Sequence, residues 1–418
     1  MNYLKAAYPL VMLSVFSLPQ ISFAASNYNF SGHHLYVNTN DAANKVIHYA
    51  QTEDGQLIEM SRLPTMGKGT AGYKHLTGQQ SAPDSIVSSG ALTISGDNKY
   101  LFVVNAGDNS VSSFRIDKNG ELEFINDVST GENGVSNTLS YNDKNQMLYV
   151  GHSLGPNHIK VFNVKNGHLT LIKGTHTVNT GNARDRILTQ VQIDPSGNFL
   201  LANAVYDKRP EKKNGKFELT PSNAVDENGL AVFPILQNGD LGQPEFFDAG
   251  GESPFGLKFI EGRDGIFVNT LDSDPGKAVL NKLDANGDVE ILSSAVAPVS
   301  GQGKEKVGTC WISYSTDGKV AFVTGYDSGQ VVSFRISDEH ISLSKSEMGI
   351  LKPSDLSNDS AAVNTGSPIG SWSSSNGYFY QLYPAAAKLV AYKMSDDELK
   401  RVGSYAIPLN SSQGIAGF

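Results

Sequence analysis

Short apolar runs rich in β-branched and aromatic residues recur along the chain, each bracketed by turn residues. Four copies align closely: Tyr100-Leu101-Phe102-Val103-Val104-Asn105, Met147-Leu148-Tyr149-Val150-Gly151-His152, Gly265-Ile266-Phe267-Val268-Asn269-Thr270 and Val320-Ala321-Phe322-Val323-Thr324-Gly325. Weaker copies begin at His34, Phe199 and Tyr378, which makes seven. The turn before each copy is Gly32, Gly96-Asp97, Asn142-Asp143, Ser196-Gly197, Asp264-Gly265, Asp317-Gly318 or Asn376-Gly377. The turn after it is Asp54-Gly55, Asn119-Gly120, Asn166-Gly167, Asn238-Gly239, Asn286-Gly287, Asp338-Glu339 or Asp396-Asp397. Asn-Gly and Asp-Gly between strand-like runs mark hairpins, because a type I′ turn needs positive φ at both central residues.

Two strands fit between the turns of each unit, one fits before them and one after. Four-stranded antiparallel units of about 50–55 residues are propeller blades, which bury their faces by stacking around an axis. The pattern predicts an all-β, seven-bladed β-propeller spanning residues 25–418 as a single domain. Residues 413–418 resemble the innermost strands of other units, whereas the first unit lacks one. The tail is therefore expected to pair into blade one and close the ring.

The fourth unit carries an insertion over residues 206–229, read as a loop joining its second and third strands. That loop shares an end of the propeller with the blade-linking segments. Lys208, Arg209, Lys212, Lys213 and Lys216 make it a local basic patch, a candidate docking loop for an anionic ligand or partner.

The remainder of the chain changes this picture in few places. Residues 6–18 are nearly unbroken in their apolar character, follow Lys5, and precede Ser22-Phe23-Ala24, the pattern of a signal peptide over residues 1–24. The protein is thus expected to be secreted or periplasmic, with no membrane span after cleavage. A formal charge of -9 argues against general nucleic-acid binding. The single cysteine, Cys310, lies in an apolar run and reads as buried and inert. The nine histidines show no metal-ligand spacing, and no cofactor motif is found, so neither a metal nor a cofactor is expected. The mature chain is read as a monomer.

The motifs Tyr100-Leu101-Phe102-Val103-Val104-Asn105, Val111-Ser112-Ser113-Phe114-Arg115-Ile116 and Ile193-Asp194-Pro195-Ser196-Gly197-Asn198-Phe199-Leu200 carry a resemblance to the seven-bladed lactonase-like propellers. These are the 6-phosphogluconolactonase and carboxymuconate-cyclising type. The resemblance implies a His opening blade four, an Arg-His pair opening blade five and a Glu ending that blade's second strand. Here the matching positions hold Thr189, Phe255-Gly256 and Thr270. Two functions remain in view. One is an exported module that binds a small anionic ligand or a protein. The other is a lactone hydrolase or cycloisomerase with a relocated site at the channel mouth, drawn from His152, Arg184, Arg186, Glu252 and Asp272.

Overall fold

A computed structural model of the chain describes residues 28–181, 185–221, 229–298, 307–356, 366–395 and 398–418, the side chains of residues 208 and 216–221 excepted. The signal-peptide reading and Arg184 lie outside the described residues. Each repeat unit folds as one antiparallel sheet, and seven sheets stand around an axis. Strand order within a sheet follows chain order, as hairpin-linked blades require. In blade two it runs Leu92–Ile94, Tyr100–Asn105, Ser110–Ile116 and Leu122–Ser129.

Blade one is the exception that closes the ring. Its innermost strand is Ile415–Gly417, paired antiparallel to Phe30–Asn38 with Leu35 opposite Gly417, Tyr36 opposite Ala416 and Val37 opposite Ile415. Because the C-terminus supplies that strand, no hairpin is needed at Gly32. The residue instead falls within Phe30–Asn38, in a register shift between Phe30 and His34, and not in the turn its sequence suggested.

The repeat decides where the core sits. Its third position is Tyr36, Phe102, Tyr149, Leu201, Phe267, Phe322 and Tyr380 in the seven blades, and every one is fully buried. A buried tyrosine needs a partner for its hydroxyl. Tyr36 donates to Gly120 O (2.7 Å), Tyr149 to Gly239 O (2.7 Å) and Tyr380 to Gly55 O (3.0 Å). Each acceptor is the turn glycine of the next blade's outer hairpin. One residue choice thereby joins side-chain packing within a blade to docking between blades, and Tyr380 does so across the seam between blades seven and one. Gly120 sits at φ +77°, and a Cβ there would run into the His34 ring. Turn conformation and interblade packing both require glycine at this position.

The insertion in blade four is not a loop over most of its length. The second strand runs on from Phe199 to Lys213 and folds back as Lys216–Pro221, with Lys213 opposite Lys216 and Tyr206 opposite Pro221. Asn214 and Gly215 make the turn at φ +49° and +81°. An Asn-Gly pair with charged and β-favouring flanks extends the sheet as a ribbon, satisfying backbone groups that a loop would leave to water. Residues 222–228 lie outside the described residues. Among the described residues no helix is long and apolar enough to cross a membrane.

Candidate functional site

The antiparallel order gives the propeller two unlike ends. One carries the blade-linking segments and the blade-four ribbon; the other carries the tight hairpins within each blade. Sequence reasoning placed its candidate residues at the first end.

His152 and Arg186 are both fully buried there. The His152 ring contacts Thr130 Oγ1 (2.9 Å) and His158 O (3.2 Å), and the His158 ring contacts Thr177 Oγ1 (3.1 Å) and Arg186 O (2.8 Å). Burial pushes both imidazoles down to about 4, so they are neutral near pH 7. The Arg186 guanidinium donates to Asp207 Oδ1 (3.1 Å) and Val178 O (3.2 Å). These groups tie the segment before blade four to the base of the ribbon. Glu252 is exposed, and Asp272 is half-buried with its backbone N–H on Ser253 O. On the ribbon, Arg209 bonds Asp185 Oδ1 and Gly155 O at 2.9 Å each, and Lys212 and Lys213 are exposed. The side chains of Lys208 and Lys216 lie outside the described residues.

The three positions matched to the lactonase-type catalytic groups are part of the framework. Thr189 Oγ1 donates to Phe255 O (2.8 Å), which ties blade four to blade five. Thr270 Oγ1 accepts from Gly256 N (2.9 Å) and donates to Cys310 O, which ties blade five to blade six. A Cβ on Gly256 would lie 2.1 Å from Cys310 O, so no side chain fits there unless blade six moves away. Phe255 packs edge-on against Trp311 with ring centroids 4.9 Å apart. The indole N–H of Trp311 reaches across the axis to Ser88 O (2.8 Å). Val87, Leu154, Ile187, Tyr206 and Tyr326 complete this apolar cluster. Buried Cys310 belongs to it as well, as its sequence context predicted. Beside it, Gln413 donates to the buried Asp84 carboxylate (2.5 Å) and accepts from Ser85 Oγ and Ile86 N (2.9 Å each). Burial raises the Asp84 carboxyl above its ordinary value, against the pull of Lys74 and Gln413.

Beyond the plug the axis opens. A cavity of about 140 Å³ is lined by Ser89, Gln190, Gln192, Lys258, Trp311 and Ser371, among others. A groove of about 410 Å³ continues toward the hairpin end between blades five, six and seven, bounded by Lys258, Phe259, Glu261, Tyr314, Asp317 and Trp372. Lys258 lines both spaces. Protein surrounds its side chain, and its exposure is partial, through the cavity. Its ammonium lies 6.0 Å from the centre of the Tyr314 ring, and the Tyr314 hydroxyl bonds the Lys258 carbonyl (2.6 Å). Burial lowers the amine below its ordinary value, opposed by Glu261.

Sequence reasoning passed over Lys258, although a signal was present. Among the seven innermost strands it is the one Lys, Arg, Asp or Glu. A charge facing the axis is conspicuous only once the innermost strands are set side by side.

The profile of the lactonases built as seven-bladed β-propellers matches residues 22–181. No curated protein matches the sequence. Among solved structures, the chain is similar to the periplasmic gluconolactonase of Pseudomonas aeruginosa, at 16% identity and a TM-score of 0.66 over 92% of this chain and 98% of that one. A candidate 6-phosphogluconolactonase from Bacteroides fragilis follows at 14% identity and a TM-score of 0.63, covering 95% of this chain and 100% of the other. Another from Bacteroides uniformis shows 13% identity and a TM-score of 0.63, covering 92% and 99%. Identities this low carry the fold alone. The protein is a seven-bladed β-propeller whose fold is similar to that of the lactonase propellers.

Proposed function

We propose that this chain is an exported propeller that binds a small anionic ligand and does not hydrolyse lactones by the acid–base route of lactonase-like enzymes. One observation carries the reading. The positions matched to the proton-transferring groups hold Thr189, Gly256 and Thr270; both threonine hydroxyls are consumed in ties between neighbouring blades, and Gly256 has no room for a side chain beside Cys310 O. A threonine hydroxyl held on a carbonyl cannot serve as a base near neutral pH, and glycine offers no group at all. Export is supported by the signal-peptide pattern of residues 1–24 and by the periplasmic gluconolactonase among the structural neighbours. A site for an anion is supported by the axial cavity that Lys258 lines.

Purified protein is to be tested against a panel of aldono- and carboxymuconolactones by pH-stat, with thermal-shift titration of the matching open-chain acids. The reading expects no turnover above background and stabilisation by at least one acid. Turnover with a bell-shaped pH dependence that is abolished by His152→Ala would overturn it and favour a relocated site built from His152 and its neighbours.

A further inference from the structure

Lys258 presents an unusual electrostatic situation. Its ammonium makes no hydrogen bond or ion pair with any described residue, although its side chain is largely enclosed and meets solvent only through the cavity and groove it lines. Polar neighbours are already engaged. Gln190 bonds both the N–H and the carbonyl of Leu257, at 2.6 and 2.8 Å. Gln192 donates to Ile193 O (3.2 Å), and Ser371 shares a hydrogen bond with Ser313 (2.9 Å). A largely enclosed cation without a hydrogen bond or ion pair incurs a desolvation cost that the more distant Glu261 offsets only in part, and an apolar side chain of the same shape would avoid it. The strand therefore keeps a charge that folding does not use, beside a space large enough for a small molecule.

Resting on the binding reading above, we propose that the cavity and groove form a site for a small organic monocarboxylate. The carboxylate pairs with Lys258, and the body of the ligand lies in the groove toward the hairpin end. The linings set the chemistry. Lys258 supplies one positive charge, enough for one carboxylate. Phe259, Tyr314 and Trp372 offer apolar and aromatic surface for an uncharged body. Glu261 and Asp317 stand farther out on the groove and repel a second negative group. Dicarboxylates and phosphate esters are thereby disfavoured. The Phe255–Trp311 plug closes the opposite end, so entry is from the hairpin end, away from the blade-four ribbon.

Isothermal titration of the full mature chain with benzoate and hexanoate tests this site. Benzamide and hexanamide serve as neutral counterparts, and phthalate as the dianion. Binding by a monocarboxylate, at least tenfold weaker for its amide and for phthalate, is expected. Lys258→Met should weaken it by at least tenfold while leaving the melting temperature unchanged or higher, since it removes a largely enclosed charge that makes no hydrogen bond or ion pair with a described residue. Lys258→Gln gives the same reading if the Met side chain disturbs the strand. Equal binding of acid and amide, equal binding by the neutral variants, or no binding by either monocarboxylate would overturn the site. Lactone turnover would instead overturn the functional reading, so the two failures are distinguishable.

Discussion

Deletion of residues 411–418 removes the innermost strand of blade one, and the structure sets the size of the effect. Besides the ladder of Ile415–Gly417 on Leu35–Val37, four backbone hydrogen bonds are lost: Asn38 N to Gly414 O, Gln413 N to Asn38 O, and the reciprocal pair between His34 and Phe418, all at 3.0–3.1 Å. Three more go with the Gln413 side chain, on Asp84, Ser85 and Ile86. At about 0.5–1.5 kcal/mol net for each bond, the loss is on the order of 4–10 kcal/mol. Asp84 is left buried without its Gln413 partner, keeping the Ser88 and Val87 N–H groups and the charge of Lys74, which adds a desolvation cost. Phe418 no longer covers the rings of His34 and Tyr36. For a domain of this size each kcal/mol moves the midpoint by about 1 °C, so the fall is about 5–10 °C. Scanning calorimetry of the truncated and full chains measures it. Light scattering should rise as well, because Phe30–Asn38 becomes an unpaired edge. A truncated chain that melts with the full one, without aggregating, would refute the closure argument.

Two further outcomes are expected. Burial pushes His48 down to about 3 and His152 and His158 to about 4, so in each case the unfolded chain binds its proton first as pH falls. Their contribution is complete above about pH 6.5 and is lost below it, on the order of 1.4 kcal/mol per histidine per pH unit. Melting temperature measured from pH 7 to 4.5 should fall accordingly, and a flat profile would contradict the burial of these rings. Separately, Asp207→Ala strips the buried Arg186 guanidinium of its carboxylate and is expected to cost about 3–5 kcal/mol in urea unfolding. A loss below about 1 kcal/mol would place that pair among surface ion pairs.

The open groove does not lie at the end of the propeller to which sequence reasoning assigned the candidate residues. The end with the long linkers and the ribbon was expected to hold the chemistry. There, His152, His158, Arg186 and Asp207 are bound to one another or to the backbone, and Phe255 and Trp311 fill the axis. The tight-hairpin end, with few residues between strands, leaves the open groove and Lys258, which has no hydrogen bond or ion pair among the described residues. Long loops supply functional groups only when those groups remain available, and here local hydrogen bonding has engaged them.

Blade number, strand order, most hairpin positions and the pairing of residues 413–418 with the first strand were legible in the chain. Blade number and hairpins follow from a repeated local signal, an apolar run and then a turn that is Asn-Gly or Asp-Gly in five of seven copies, and closure follows from the tail's likeness to the other innermost strands. The framework roles of Thr189, Gly256 and Thr270, which bond or abut neighbouring strands, were not legible there. The turn at Gly32 and the loop at residues 206–221 were misread, because a strand can absorb a bulge or run on as a ribbon without changing its composition. What lies at the axis was decided only by tertiary structure. Seven strands distant in sequence meet there, and whether Trp311 fills the space or Lys258 faces it unpaired depends on side chains contributed by other blades. No local pattern records which groups share a cavity, since burial and electrostatic partnership are properties of the closed ring.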